Sequence, residues 1–322
     1  MRLTTFLLGA AAIATPAVAQ QAPAPADDQA DSHAQTPTQI VVTAAFNRDR
    51  ADIISGVSVL QGQELAQSIR PTIGETLDRT PGVSATSFGP NASRPVLRGL
   101  QGERVRILTD GIGAFDVSNT SADHAVVIDP LLAERIEVLR GPATLLFGSS
   151  AIGGVVNVID KRIPRIVPDE IAHVDAMATY GSAADERSVG AAVDVPLGRQ
   201  FVVHADGSYL KTGNLRVGDY VLAPSARAVA LANAGTETQE QLDEGIDFAR
   251  NASLKGRLPN SAAETWTAGV GAALITDTGN LGVSYSHYDS LYGIPTRYAI
   301  RPGEEQEAPR LDVAQDRVDL RA

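Results

Sequence analysis

The chain has 322 residues, 43% of them hydrophobic and 20% charged, which suffices for one large or two medium domains. Its net charge of −11, from 38 acidic and 27 basic side chains, argues against nucleic-acid binding, because neutralising phosphates needs a basic face. Cysteine is absent, which excludes disulfide scaffolds and thiolate metal sites and leaves imidazole and carboxylate as the metal ligands to look for.

Residues 1–19 read as a signal peptide. Arg2 supplies positive charge, Leu3 to Ile13 is mostly apolar, and Ala17-Val18-Ala19 supplies small residues before a cut ahead of Gln20. That run is too short to span a bilayer as a helix, and no other apolar run approaches the roughly 18 residues required. A membrane location would therefore need a barrel. Residues 20–38 are mostly Gln, Ala, Pro, Asp, Thr and Ser; they cannot bury enough surface to fold and read as a flexible arm. The arm ends on Gln39, Ile40, Val41, Val42, Thr43 and Ala44. The β-branched centre of this segment suits either addition to another protein's sheet edge or the first strand of the next domain.

Residues 46–164 read as a mixed α/β unit. Val57 to Leu60 is a strand that leads through Gln61 to Glu64 into a short helix ending near Ile69. A second helix starts at Pro71 and Thr72, with Thr72 as cap, Glu75 in capping-box position, and Ile73, Thr76 and Leu77 on one face. Strands follow over 95–100 and 104–109, the second closing on the turn Asp110-Gly111. The stretch from Ile128 to Leu139 alternates into another strand, Ala143 to Phe147 makes a short helix, and Val155 to Ile159 is a last strand.

From residue 165 the pattern becomes segments of about ten residues with period-two alternation, the signature of a transmembrane barrel. Strands are predicted over 172–180, 188–195, 201–211, 266–275 and 281–289, with a sixth starting at Arg317. In the third, Phe201, Val203, Ala205 and Tyr209 form a face suited to lipid, and Val202, His204, Asp206 and Ser208 a face suited to a wet lumen. A soluble sandwich would alternate in the same way. The membrane reading is favoured by Tyr180, Tyr209, Trp266, Tyr285 and Tyr288, taken as interfacial girdle residues, and by connections that alternate short and long. The short turns 196–200 and 276–280 are then periplasmic, and the polar stretches 212–263 and 291–309 extracellular. His173 and Asp175 share the lumen parity of His204 and Asp206, and His287 faces outward with Val283 and Tyr285. Five and a fraction strands leave open edges, so the chain reads as a fragment with an incomplete barrel over residues 165–322, either a truncated gene product or a portion of a longer protein.

Several motifs occur together in one order: Pro71-Thr-Ile-Gly-Glu-Thr-Leu-Asp-Arg-Thr-Pro-Gly-Val83, Arg94-Pro-Val-Leu-Arg-Gly-Leu100, Arg104-Val-Arg-Ile-Leu-Thr-Asp-Gly111, Glu134-Arg-Ile-Glu-Val-Leu-Arg-Gly-Pro142 and Phe147-Gly-Ser-Ser-Ala-Ile-Gly-Gly-Val-Val-Asn-Val158. In these the chain resembles the TonB-dependent outer-membrane receptors. The resemblance implies a plug inside an antiparallel barrel of about 22 strands in the Gram-negative outer membrane. It also implies that Gln39 to Ala44 is a TonB box recognised by the periplasmic TonB protein, and that Arg98 and Arg140 pair with barrel carboxylates, ordinary salt bridges within the plug being the alternative.

A narrower resemblance, in Ser87-Phe-Gly-Pro-Asn-Ala-Ser-Arg94, Ser121-Ala-Asp-His-Ala125 and Arg135-Ile-Glu-Val-Leu-Arg140, is to the zinc-uptake branch. It implies that Asp123 and His124 are metal ligands and that the cargo is a metal ion or small metal complex, zinc foremost. Ala122 stands where that branch has proline, and residues 291–309 carry Glu304, Glu305 and Glu307 but no histidine. A siderophore or haem cargo is the alternative. A non-transporting signalling barrel is disfavoured, since the arm is too short for an extra folded domain. No resident cofactor is implied, and no Ser/His/Asp, paired-carboxylate or His-Glu-x-x-His constellation points to an enzyme.

Overall fold

The computed structural model describes residues 40–43, 46–49, 56–114, 118, 121 and 123–322. The signal peptide, the arm, Gln39 and Ala44 lie outside the described residues. The rest of the proposed TonB box forms β1 (Ile40–Thr43), which pairs antiparallel with β2 (Phe46–Asp49).

The plug begins with β3 (Val57–Gln61), which runs into α1 (Gly62–Ser68). α2 (Ile73–Leu77) starts where the sequence indicates: Thr72 Oγ1 accepts from Glu75 N at 3.3 Å, which satisfies one of the free donors of the first turn. Ile73, Thr76 and Leu77 are buried, so the predicted face packs inward. β4 (Val83–Ala85) and β5 (Pro95–Leu97) form a small ladder. β6 (Val105–Thr109) folds back into β7 (Ile112–Gly113) through Asp110 and Gly111, both at positive φ, the conformation a two-residue hairpin turn requires. β8 (Ala133–Leu139) and β9 (Gly154–Asp160) complete a five-stranded sheet of order β3-β8-β9-β6-β7, with β6 and β9 parallel. Leu60, Leu65, Leu77, Leu97, Ile107, Ile136 and Val156 lie in the core between sheet and helices.

One plug element departs from the sequence reading. Residues 128–132 are not strand. Asp129 accepts from Leu131 N at 2.9 Å and caps a 3-10 turn over Pro130–Leu132, and β8 begins only at Ala133. Pro130 lacks the N–H that a ladder needs, so this segment crosses toward the barrel wall instead of extending the sheet.

The wall contains β10 (His173–Gly181), β11 (Glu186–Pro196) and β12 (Phe201–Thr212). A lobe follows: β13 (Arg216–Tyr220), α3 (Pro224–Ala232), α4 (Gln239–Asp243), α5 (Phe248–Ser253) and β14 (Lys255–Arg257). Then come β15 (Ala263–Thr276), β16 (Gly279–Gly293) and β17 (Arg310–Arg321). The wall strands form one antiparallel six-stranded sheet in the order β10-β11-β12-β15-β16-β17. β17 starts seven residues earlier than the sequence suggests. Tyr180, Tyr209, Trp266 and Tyr285 stand exposed on the outer face, as expected. Tyr288 does not: it lines the inner face, against the plug. Its separation of three from Tyr285 puts it on the opposite side of a period-two strand.

The long connections are ordered. Ala230, Ile246, Phe248 and Ala252 of the lobe share a small core with Ala299 of the β16–β17 connection. Side-chain amides clamp the two together: Asn251 Nδ2 donates to Ala299 O at 3.0 Å, Asn233 Nδ2 to Ile300 O at 3.1 Å, and Gln241 Nε2 to Glu304 O at 2.7 Å. The polar composition of these loops therefore reflects a hydrogen-bonded cap as well as solvation.

Candidate functional site

Strand register places Met177, Gly190, Ser208, Thr267, Tyr288 and Gln315 in one row across all six wall strands. The plug segment after Val126 is seated on it. Leu131 fills the space above Gly190, where a Cβ would come within 2.6 Å of Leu131 Cδ2. Two residues away, Asp129 accepts from Ser208 Oγ, which also lies 2.9 Å from Thr267 Oγ1. Burial pushes the Asp129 carboxyl up, partly offset by the Ser208 bond.

The next rows carry charge. Arg162, just past β9, bonds Asp160 at 2.7 Å and reaches Asp206 of β12 at 2.7 Å. Asp206 is in turn 3.3 Å from His204 Nε2, and His204 Nδ1 is 2.7 Å from Asp194 of β11. Gly269, Gly271 and Gly282 make room for this crossing: a Cβ on Gly269 or Gly271 would strike Arg162, and one on Gly282 would strike Ile163. His204 and Asp206 thus lie on the inner face as the alternation indicates, gathered into a plug–wall ion cluster. His173 and Asp175 sit apart on β10, where Lys161 Nζ reaches Asp175 at 2.6 Å and Glu170 lies 3.2 Å from His173.

Arg98 and Arg140 come close to each other. The Arg98 charge and burial both hold the Arg140 guanidinium below its usual range, burial being the larger cause. Arg140 Nη2 donates to Ser58 Oγ at 3.1 Å, inside the plug. Among the described residues, Arg162 of the plug bridges to a wall carboxylate, Asp206; sequence reasoning did not select it. The inner-face glycines opposite it, Gly269 and Gly271 on the parity of Asp206, were the available signal.

Asp123 and His124 occupy the loop before Ala125. Ser121 Oγ donates to Asp123, which holds that carboxyl below the usual range, and His124 Nδ1 lies 3.1 Å from Asp123 Oδ1. The next residue is fixed to the wall: Ala125 N donates to Tyr292 Oη at 2.8 Å. Nearby, Asn91 Nδ2 donates to Ser261 O at 3.1 Å, so the Ser87–Arg94 and Ser121–Ala125 loops both meet the wall at its cap end. Asp123 and His124 supply two donors, and among the described residues no group of three His, Cys, Asp or Glu is arranged to hold a metal ion.

Residues 49–155 match the family model of the TonB-dependent receptor plug domain. The described region has structural neighbours of the same architecture. The copper transporter OprC aligns with a TM-score of 0.55 at 18% identity, over 74% of this chain and 32% of that one. The alcaligin outer-membrane receptor FauA from Bordetella pertussis aligns at 0.50 and 17%, over 87% and 45%. The siderophore receptor PirA from Acinetobacter baumannii gives 0.48 and 19%, over 81% and 44%. The chain thus spans less than half the length of these structures. The plug and its antiparallel wall have the fold of TonB-dependent receptors. The neighbours are transporters and receptors rather than enzymes.

Proposed function

We propose that this chain is the plug and a wall segment of a TonB-dependent importer of a metal ion or small metal complex, with zinc as the first candidate. Cargo is captured at Asp123 and His124, and the segment around Ile40–Thr43 couples the plug to TonB. One observation carries the cargo reading: an imidazole and a carboxylate, adjacent in a plug loop, stand one residue from the wall contact Ala125–Tyr292. Imidazole and carboxylate are the zinc ligands that this cysteine-free chain can offer. A site shared between plug and wall also has a release mechanism, because displacing the plug separates its ligands.

The two-donor geometry supports a second reading, in which the cargo arrives already chelated, as a siderophore complex, and the cap above the wall recognises the chelate. Zinc titration of the native receptor and its His124→Ala variant by calorimetry separates the two. The zinc reading requires a large loss of affinity in the variant. Equal affinity would remove His124 from the site and favour the chelate.

A further inference from the structure

Two small, partly open cavities lie between plug and wall, and they meet at the residues around Asp129. The outer, about 30 Å³, is bordered by Asn91, Ala125 and Val126 at the cap end and by the hydroxyls of Ser188, Ser208 and Ser290. The inner, about 50 Å³, reaches Asp160, Arg162 and Arg317. Ile128, Asp129 and Tyr288 border both. Each exceeds the ~10–15 Å³ that one water needs, and each is lined by polar groups able to hold it. Asp129 is partly buried and bonded across the gap to Ser208, which is bonded onward to Thr267. On one side of this contact Leu131 plugs the Gly190 gap, and on the other Tyr288 stands in the same inner row.

We propose that the Asp129–Ser208 contact is the gate of a hydrophilic passage between plug and wall. The proposal rests on the importer reading. When Asp129 leaves Ser208, the outer cavity beside the Asp123–His124 loop joins the inner cavity beside Arg162, and a small hydrated ion can pass along the wall without unfolding the plug sheet. The geometry favours this seam because the contact is a carboxyl–hydroxyl bond that water can replace group for group. The Arg162 cluster below it is ionic and multiply bonded, and serves as the fixed pivot.

The test is ion leak through the native receptor, purified from outer membranes and placed in planar bilayers, which does not depend on knowing the cargo. Removing both partners, in Asp129→Ala/Ser208→Ala, should raise conductance by an order of magnitude over wild type. Ser290→Ala, which alters the outer cavity away from the contact, should stay as tight as wild type. Residues 1–322 contain no cysteine, so in this chain Asp129→Cys/Ser208→Cys introduces the only thiols and gives a second arm: leaky when reduced, tight when oxidised to the disulfide. It also decides the matter where the alanine pair fails to assemble. Equal conductance of the reduced and oxidised forms, or an alanine pair as tight as wild type, overturns the gate. Loss of the zinc reading alone, through unchanged affinity in His124→Ala, would leave the leak result standing.

Discussion

Arg162 of the plug and Asp206 of the wall meet at 2.7 Å where Gly269 and Gly271 of β15 present no side chain, so a bulky cation crosses an interface with no room for another group. The pair is largely buried, and Asp160 and His204 extend it on either side. Buried ion pairs gain little over apolar packing, but losing one partner strands the other. Arg162→Ala should therefore destabilise plug seating by about 3 kcal/mol, the low end for a broken buried pair, because His204 still faces Asp206. Arg162→Lys keeps the charge but not the fork that serves Asp160 and Asp206 together, and should fall between. Urea midpoints of the native receptor, followed by protease access to the plug, measure both; a wild-type midpoint for Arg162→Ala would show the cluster to be decorative.

The glycine cradle can be tested separately. A Cβ on Gly271 would run into the Arg162 carbonyl, and backbone cannot swing aside as a side-chain tip can. Gly271→Ala should cost about 1–3 kcal/mol, as overpacking does, with the barrel strands themselves unaffected. Gly279→Ala is the control, since nothing lies within 4 Å of its Cβ position. Equal stability of the two variants would mean that the segment after β9 is not held against β15.

Glu75 is expected to make plug stability depend on pH. Burial, then the Glu186 charge across the seam and more weakly Asp78, push its carboxyl up to about 7, with Arg70 opposing. A carboxyl with a raised folded-state pKa stabilises the fold most below its ordinary value of 4.5. That contribution is lost as pH rises from there to about 7, where Glu75 ionises. Plug stability should fall across this window, and Glu75→Gln should flatten the profile and exceed wild type at pH 8. Parallel profiles for the two proteins between pH 4.5 and 8 would rule out Glu75 as the source.

Much of this architecture was legible because local chemistry and tertiary packing agree. Thr72 caps, Asp110-Gly111 turns, and the alternation over 201–212 faces as written. The departures have physical causes. Aromaticity alone groups Tyr288 with Tyr285, although their spacing places them on opposite faces. The segment around Asp129 looked like a strand because its apolar residues alternate, yet Pro130 turns it onto the wall. Arg162 carries no local signal; its role appears only when the register of β15 sets two glycines opposite it. Cap order was invisible for a similar reason: the amides of Asn251, Asn233 and Gln241 bond carbonyls some 50 to 70 residues away, as the spans of 48, 67 and 63 show.

Energy coupling gives the last prediction. β1 offers its backbone as a short strand, and strand addition draws affinity from main-chain bonds, with side chains setting preference. Val42→Pro removes one N–H and should abolish binding of the TonB periplasmic domain, while Val42→Ala, which keeps the donor, should bind nearly as well as wild type. In this chain Val42 is also paired with Asn47 of β2, so the proline could act by breaking that hairpin. Asn47→Pro separates the causes, because it disrupts the hairpin from the other strand and leaves the β1 backbone intact. An isolated two-stranded hairpin is marginally stable in water, so its loss should leave TonB binding unchanged or strengthen it by freeing a β1 edge. Calorimetry of the native receptor against the TonB domain should then rank Asn47→Pro at or above wild type and Val42→Pro at background. Wild-type affinity in Val42→Pro would place the coupling strand elsewhere, and equal loss in both proline variants would assign the effect to the hairpin.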